Sequence, residues 1–393
     1  MKHSFLFSIL LVLGAQNIFA QDEDRRVVAT GVPFLLISGD ARASGLGDQG
    51  VATRVDAFSQ QWNASKYAFS QDQQGIALAF TPYLRDIATD INIAQLNYFN
   101  RISESGAFAA SLKYFSLGEV ELRQTADQVP QIESPNEFAL DLSYSLRLSD
   151  LFSMGVTGRF ISSDLRISSV DGDASAANTF AADISMFYRS EEEVYKDFNG
   201  RWRAGLSISN IGPKISYTDD DIGENFLPTN FRAGVGFDFI LDPSNVIGVY
   251  AEVNKLLVPT PPKAEYVEGS TQELTPESRA EFDDYNDTNE FSAIFSSWTD
   301  APDGFSEELK EFTWALGAEY WYEDSFALRL GYFNESEEKG FRKFMTIGAG
   351  FKYSSITIDA SYLFSTSPIQ NPLEGTLRFG LTFNINSGAY YEY

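Results

Sequence analysis

From residue 73 to the C-terminus, apolar and polar side chains alternate with a period of two, in segments of about 9 to 13 residues. That period belongs to strands with two unlike faces. Phe138, Leu140, Leu142, Tyr144, Leu146 and Leu148 share one face of such a segment, and Asp141, Ser143, Ser145 and Arg147 the other. Phe312, Trp314, Leu316, Ala318, Tyr320 and Tyr322 oppose Glu311, Thr313, Gly317, Glu319 and Glu323. The pattern predicts strands near 73–81, 90–101, 105–117, 136–149, 151–164, 178–190, 200–211, 230–241, 245–256, 311–323, 325–334, 343–353, 355–365 and 375–386.

The connections alternate as well. Those after odd-numbered strands run from roughly 8 to 54 residues and those after even-numbered strands from about 1 to 9, the parity of an outer-membrane barrel with short periplasmic turns and long extracellular loops. A soluble β-sandwich has no reason to keep that parity. The expectation is an all-β transmembrane β-barrel of about 14 antiparallel strands, long loops extracellular and both termini periplasmic. Asp141, Arg147, Asp183, Arg189, Arg201, Arg203, Arg232, Asp238, Glu252, Glu319, Arg329, Lys352, Asp359 and Arg378 fall on the face opposite the apolar one. Each would cost a few kcal/mol in lipid, so that face is assigned to the lumen, as a solvated or mutually paired interior.

Two segments are not wall. Residues 1–20 read as a signal peptide: Lys2 and His3, an apolar run over 4–14, small residues at Ala15 and Ala20, then Gln21-Asp22-Glu23-Asp24. Cleavage follows Ala20 or Ala15, and no cysteine is present to carry a lipid anchor. Residues 21–72 contain Val32-Pro33-Phe34-Leu35-Leu36-Ile37 and a run rich in Gly and Ala. They are expected to fold back as a plug inside the barrel, 73–393. The long connection 257–310 opens on Pro259-Thr260-Pro261-Pro262, and Thr275-Pro276-Glu277 and Gly304-Phe305-Ser306 read as helix starts. It holds 13 acidic and 3 basic residues. Phe282, Tyr285, Phe291, Phe295, Trp298 and Phe305 are interspersed among them, apolar surface that needs a cover. These six are the candidate partner-binding residues.

Composition narrows the chemistry. With 55 Asp+Glu against 29 Lys+Arg the net charge is −26, which disfavours nucleic acid. Cysteine is absent and the single histidine, His3, lies in the leader. The mature chain therefore has no His base, Cys nucleophile or His/Cys metal site. Asp283, Asp284 and Asp287 lack the spacing and glycine of an EF-hand. No enzyme activity, cofactor or metal is expected.

Several stretches resemble one family. Pro33-Phe34-Leu35-Leu36-Ile37, Asp40-Ala41-Arg42-Ala43 and Gly45-Leu46-Gly47-Asp48-Gln49-Gly50-Val51-Ala52-Thr53 are similar to the start of the PorV (LptO) family of the type IX secretion system. Trp62-Asn63-Ala64-Ser65-Lys66-Tyr67-Ala68-Phe69 follows its W-N-P-A-K-Y-A-F segment, with Ala64 in place of the family proline. Thr81-Pro82-Tyr83-Leu84, Asp90-Ile91-Asn92, Gly304–Leu309 and Gly317–Tyr322 extend the resemblance toward the C-terminus. It implies a FadL-like barrel of 14 strands whose N-terminal plug carries Asp40, Arg42, Gly45, Gly47, Asp48, Trp62 and Asn63 as structural residues. It also implies a non-enzymatic carrier in the outer membrane. Such a carrier binds the C-terminal domain of secreted cargo, takes it from an SprA/Sov-type translocon barrel and passes it to an attachment complex with a PorU-type sortase. The alternative, a FadL-like transporter of hydrophobic small molecules, rests on fold alone, and the charged lumen face counts against it.

Overall fold

Alternation becomes a closed wall once each strand pairs with the next. The computed structural model describes residues 27–84, 90–122, 129–165, 176–217, 224–262, 264–267, 274–367 and 374–386, so the expected leader lies outside the described residues. The wall is made of β1 (Gln74–Pro82), β2 (Asn92–Arg101), β3 (Gly106–Ser116), β4 (Asn136–Arg147), β5 (Phe152–Asp164), β6 (Ala177–Arg189) and β7 (Asn199–Ile211). It continues through β8 (Asn230–Asp242), β9 (Asn245–Leu256), β10 (Thr313–Tyr322), β11 (Phe326–Asn334), β12 (Lys343–Tyr353), β13 (Ile356–Ser365) and β14 (Leu377–Ile385). Consecutive strands pair antiparallel, and β14 returns to β1 in the register Gln74↔Ile385 to Phe80↔Phe379. Closure leaves no free edge along the fourteen strands. Every strand lies within two residues of its expected bounds.

The two faces are inverted relative to a soluble protein. Glu319 on β10 is 0 % exposed, whereas Leu328 on β11 is 63 % exposed. Leu142, Val156 and Phe180 are likewise exposed on the outside, while Asp141, Asp183, Glu252, Asp359 and Arg378 are buried inside. A belt of exposed apolar residues round a closed barrel is stable only against lipid, as in an outer-membrane barrel. Among the described residues no helix is long and apolar enough to cross a membrane.

Residues 27–73 fill the lumen. The first described residues lie among the long connections: Gly31 N–H donates to Phe226 O at 2.9 Å, and Val28 packs with Phe226 and Val258. The last lie at the short-turn end, where Arg101 N–H bonds Gln73 O at 2.7 Å. The expectation that both chain ends share one side therefore holds for Gln74 and Ile385 but not for residues 27–34. They sit at the opposite end because this segment runs the length of the barrel.

Its close fit depends on inward-facing positions without a Cβ. A Cβ on Gly205 (β7) would come 2.0 Å from Val51 O, and one on Gly331 (β11) 2.0 Å from Gly47 N. Gly331 pairs with Gly317, so the cradle spans neighbouring strands. Gly158 has nothing within 4 Å of such a Cβ. Gly331→Ala should therefore loosen the plug and lower the denaturation midpoint in detergent by about 1–3 kcal/mol of stability, while Gly158→Ala leaves it unchanged. Equal midpoints for the two variants would disprove the fit.

Candidate functional site

The plug is anchored through one turn of helix, α1 (Ala41–Ser44). Asp40 caps it: Oδ1 accepts from Arg42 N–H at 2.8 Å, and Oδ2 accepts from Trp62 Nε1 at 3.3 Å. The cap presents Arg42 to the wall. Its Nε and Nη2 donate to the two oxygens of Glu319, each at 2.9 Å, and Nη1 donates to Asp56 at 2.6 Å. Glu319 also accepts from Arg329 Nε at 2.7 Å, and Arg329 Nη1 donates to Asp359 at 2.7 Å. Acids and guanidinium groups alternate through this network, so each charge has an opposite neighbour.

The glycine run supplies backbone donors and close approach. Gly47 has φ +85°, and its N–H donates to Thr346 Oγ1 at 3.0 Å. A Cβ on Gly45 would sit 3.1 Å from Gly348 Cα. Asp48 reaches the wall through Arg378 at 2.6 Å. Glu252 accepts from the N–H groups of Gly50 and Val51 at 2.8 and 2.9 Å. The Trp62 ring fills the space a Cβ on Gly50 would take, 2.3 Å away.

Asn63 joins three parts of the molecule. Its Nδ2 donates to Val51 O at 3.0 Å and Met186 O at 2.8 Å, and its Oδ1 accepts from Ser65 N–H at 3.1 Å. That cap starts the 3₁₀ turn Ala64–Phe69, so the turn forms with Ala64 where the resemblance has proline. Inward serines hold it: Ser145 Oγ donates to Ala64 O at 2.6 Å and Ser153 Oγ to Ser65 O at 2.8 Å.

At the other end the connection between β9 and β10 folds into α2 (Pro276–Asp287), α3 (Glu290–Ser296) and α4 (Phe305–Lys310). Thr275 and Asn289 cap the first two, accepting from Ser278 and Phe291 N–H at 3.2 and 3.0 Å. The six aromatic candidates do not form one patch. Tyr285 packs on Phe226 at 5.8 Å, and Trp298 on Phe231 at 5.4 Å and Phe312 at 6.2 Å. These two tie the helices down. Phe282 is half-buried, while Phe291, Phe295 and Phe305 are 65, 77 and 77 % exposed. Asp283, Asp284 and Asp287 lie exposed along α2.

A charged clasp holds the base of this cap. Lys255 pairs with Glu308 at 3.0 Å and with Glu311, and Lys339 pairs with Glu307 at 2.6 Å and Glu311 at 3.0 Å. Asp300, Glu308 and Glu311 converge, and the two lysines meet their charge. Burial, reinforced by Glu311 and Glu308, pushes the Asp300 carboxyl up to about 6, against the Thr260 N–H and Lys255 that favour its anion.

Residue periodicity does not reveal several of these parts. Asp56 and Arg54 are plug charges that lock onto Arg42 and onto Asp238, the latter at 3.2 Å. Buried Lys66 donates to Gly50 O at 2.8 Å and Thr53 Oγ1 at 3.1 Å. The cradle glycines left a trace in sequence, as glycines at lumen-facing positions of Gly205, Gly234, Gly317 and Gly331. Below the plug, toward the short turns, lies a cavity of about 400 Å³ whose lining includes Arg54, Arg189, Arg203, Phe69, Phe187 and Trp321.

The geometry defines a class: a plugged, 14-stranded outer-membrane β-barrel with a helical cap at one mouth. The family described as type IX secretion system protein PorV matches residues 20–263, and the chain belongs to that family. It is thus an outer-membrane component of type IX secretion. No curated protein matches the chain. Among solved structures it is similar to the toluene transporter TbuX of Ralstonia pickettii, with 12% identity, 90% of this chain and 100% of that one covered, and a TM-score of 0.47. The monoaromatic hydrocarbon channel CymD gives 11%, 91% and 99%, and 0.49. A Pseudomonas aeruginosa FadL homologue gives 12%, 89% and 99%, and 0.45.

Two outcomes follow from this geometry. Glu319→Leu leaves the Arg42 and Arg329 guanidinium groups facing each other without their shared acid, and should cost about 3–5 kcal/mol. The denaturation midpoint in micelles measures it, and an unchanged midpoint would remove Glu319 from its anchoring role. For Asp300 the folded cap holds a proton that the unfolded chain has released between about pH 4 and about 6. This group's share of cap stability is therefore present below that window and lost as pH rises through it. Asp300→Asn should flatten the difference in amide exchange of residues 297–311 between pH 5 and pH 7.

Proposed function

We propose that the chain is a cargo carrier of type IX secretion. The long-connection mouth faces the cell exterior. There the chain binds the C-terminal domain of secreted proteins, collects them from an SprA/Sov-type translocon barrel and delivers them to an attachment complex containing a PorU-type sortase. One observation carries this reading: a folded helical cap, clamped at its base by Lys255 and Lys339, holds Phe291, Phe295 and Phe305 out from the molecule among acidic side chains. Exposed aromatic anchors supply contact area and surrounding carboxylates steer a partner of complementary charge. The anchoring pair Tyr285 and Trp298 gives the cap a fixed shape, which limits the ordering cost of binding.

The transporter alternative needs an apolar route through the lumen. The described lumen is instead filled by residues 27–73 and lined by the ion pairs of Arg42, Arg159 and Arg329. Removal of residues 265–300, with the barrel intact, should abolish retention of cargo C-terminal domain by the purified chain. Retention at the level of the full chain would remove the cap from the docking role.

A further inference from the structure

The lumen of an outer-membrane barrel is expected to be polar. Just inside the long-connection mouth it is not. Ile93, Phe115, Ala139, Ile161 and Ala181, from β2 to β6, face inward and are joined by Ile215 and Leu227. The chain's own residues 28–37 occupy this apolar chamber. Val32, Phe34 and Leu35 are buried in it, with the Phe34 ring 6.3 Å from that of Phe115.

The chamber grips main chain as well as side chains. Lys113 Nζ donates to Ile37 O at 2.8 Å and Leu35 O at 3.3 Å, and Gln61 Nε2 to Leu35 O at 3.1 Å. Among the described residues Lys113 has no carboxylate at ion-pair distance, so carbonyl oxygens solvate its buried ammonium. Lys66 is solvated by the plug's own Gly50 O in the same way, so an ammonium here suits the carbonyls of an extended peptide.

The occupant is also strained. Val32 has φ 45° and ψ 51°, a left-handed conformation that β-branched side chains avoid, and it precedes Pro33, which favours an extended neighbour. Such a conformation persists only where packing enforces it, and relaxes once the segment leaves. The segment also reaches the cap, because Val28 packs against the cluster of Phe226, Val258 and Ala293, as Tyr285 of α2 does.

We propose that this chamber is a peptide-binding site held shut by residues 28–37, and that an extended apolar segment of a partner polypeptide enters it by displacing them. The proposal rests on the reading that a polypeptide docks at the long-connection mouth. A displacing segment would present apolar side chains to the wall and main-chain carbonyls to Lys113. Strain released from Val32 would offset part of the cost of unseating Phe34 and Leu35.

The test uses the full chain in detergent micelles and, as probe, a fluorescent synthetic peptide copying residues 28–37. Phe34→Ala weakens the resident segment and leaves the wall untouched. The probe should bind the Phe34→Ala chain about tenfold or more tightly than the unaltered chain. A peptide carrying the same change should bind either chain correspondingly weakly. Amide exchange should rise in residues 28–37 and stay slow in residues 41–53. Equal probe affinity for both chains, or exchange in 28–37 as slow as in 41–53, overturns the proposal. If the variant does not fold, exchange in the unaltered chain decides: faster in 28–37 than in 41–53 supports displacement, equal rates refute it. No cargo enters this measurement, so it stands or falls apart from the deletion of the cap.

Discussion

A charge withdrawn from water must meet an opposite charge or a dense set of dipoles, and the rest of the structure depends on how this lumen satisfies that demand. The wall contributes Glu319, Arg329 and Asp359, and the plug contributes Arg42 and Asp56. The wall set does not balance alone: without Arg42, Glu319 keeps only Arg329, which it shares with Asp359. The plug is therefore part of the electrostatic closure of the barrel as well as a steric filling. The same logic recurs where Arg159 joins Asp141 and Asp183, there within the wall itself.

Two stretches of the plug are held differently. Residues 40–56 are held by guanidinium–carboxylate pairs, including Asp48 to Arg378 at the start of β14, and by glycines that let backbone touch backbone. Residues 32–37, against β2 to β6 just inside the long-connection mouth, are held by apolar contact and through Lys113 to main-chain carbonyls, with strain at Val32. Under the proposed displacement, residues 28–37 would leave while residues 40–56 stay bound to the wall.

The wall was legible in sequence because period two is imposed at every residue by lipid on one side and by buried charge on the other. Leu328 and Glu319 report that contrast directly. The helix start at Thr275 was legible through cap chemistry, and that at Gly304 through the acidic first turn Glu307 and Glu308. The partners of Arg42 were not, because Glu319 lies 277 residues away and no local pattern links the two. Nor was the split among the loop aromatics: Tyr285 and Phe295 look alike in sequence, and only Phe226 beneath the first distinguishes anchor from exposed ring. The run of the plug from one mouth to the other was not legible for a similar reason, since strand parity fixes where strands end and says nothing of a segment before them.

The reach of these pairings sets an order of events in assembly. The residues synthesised first find their partners last: Arg42 waits for β10 and Asp48 for Arg378 on β14, 330 residues later. Pairings so distant in sequence carry a large loop-closure cost and form late. Until then Arg42 has only Asp56, within the plug itself, as its acid partner. The barrel must also close its β1–β14 seam around a segment already in place, so the last hydrogen bonds of the wall and the seating of the plug become one step.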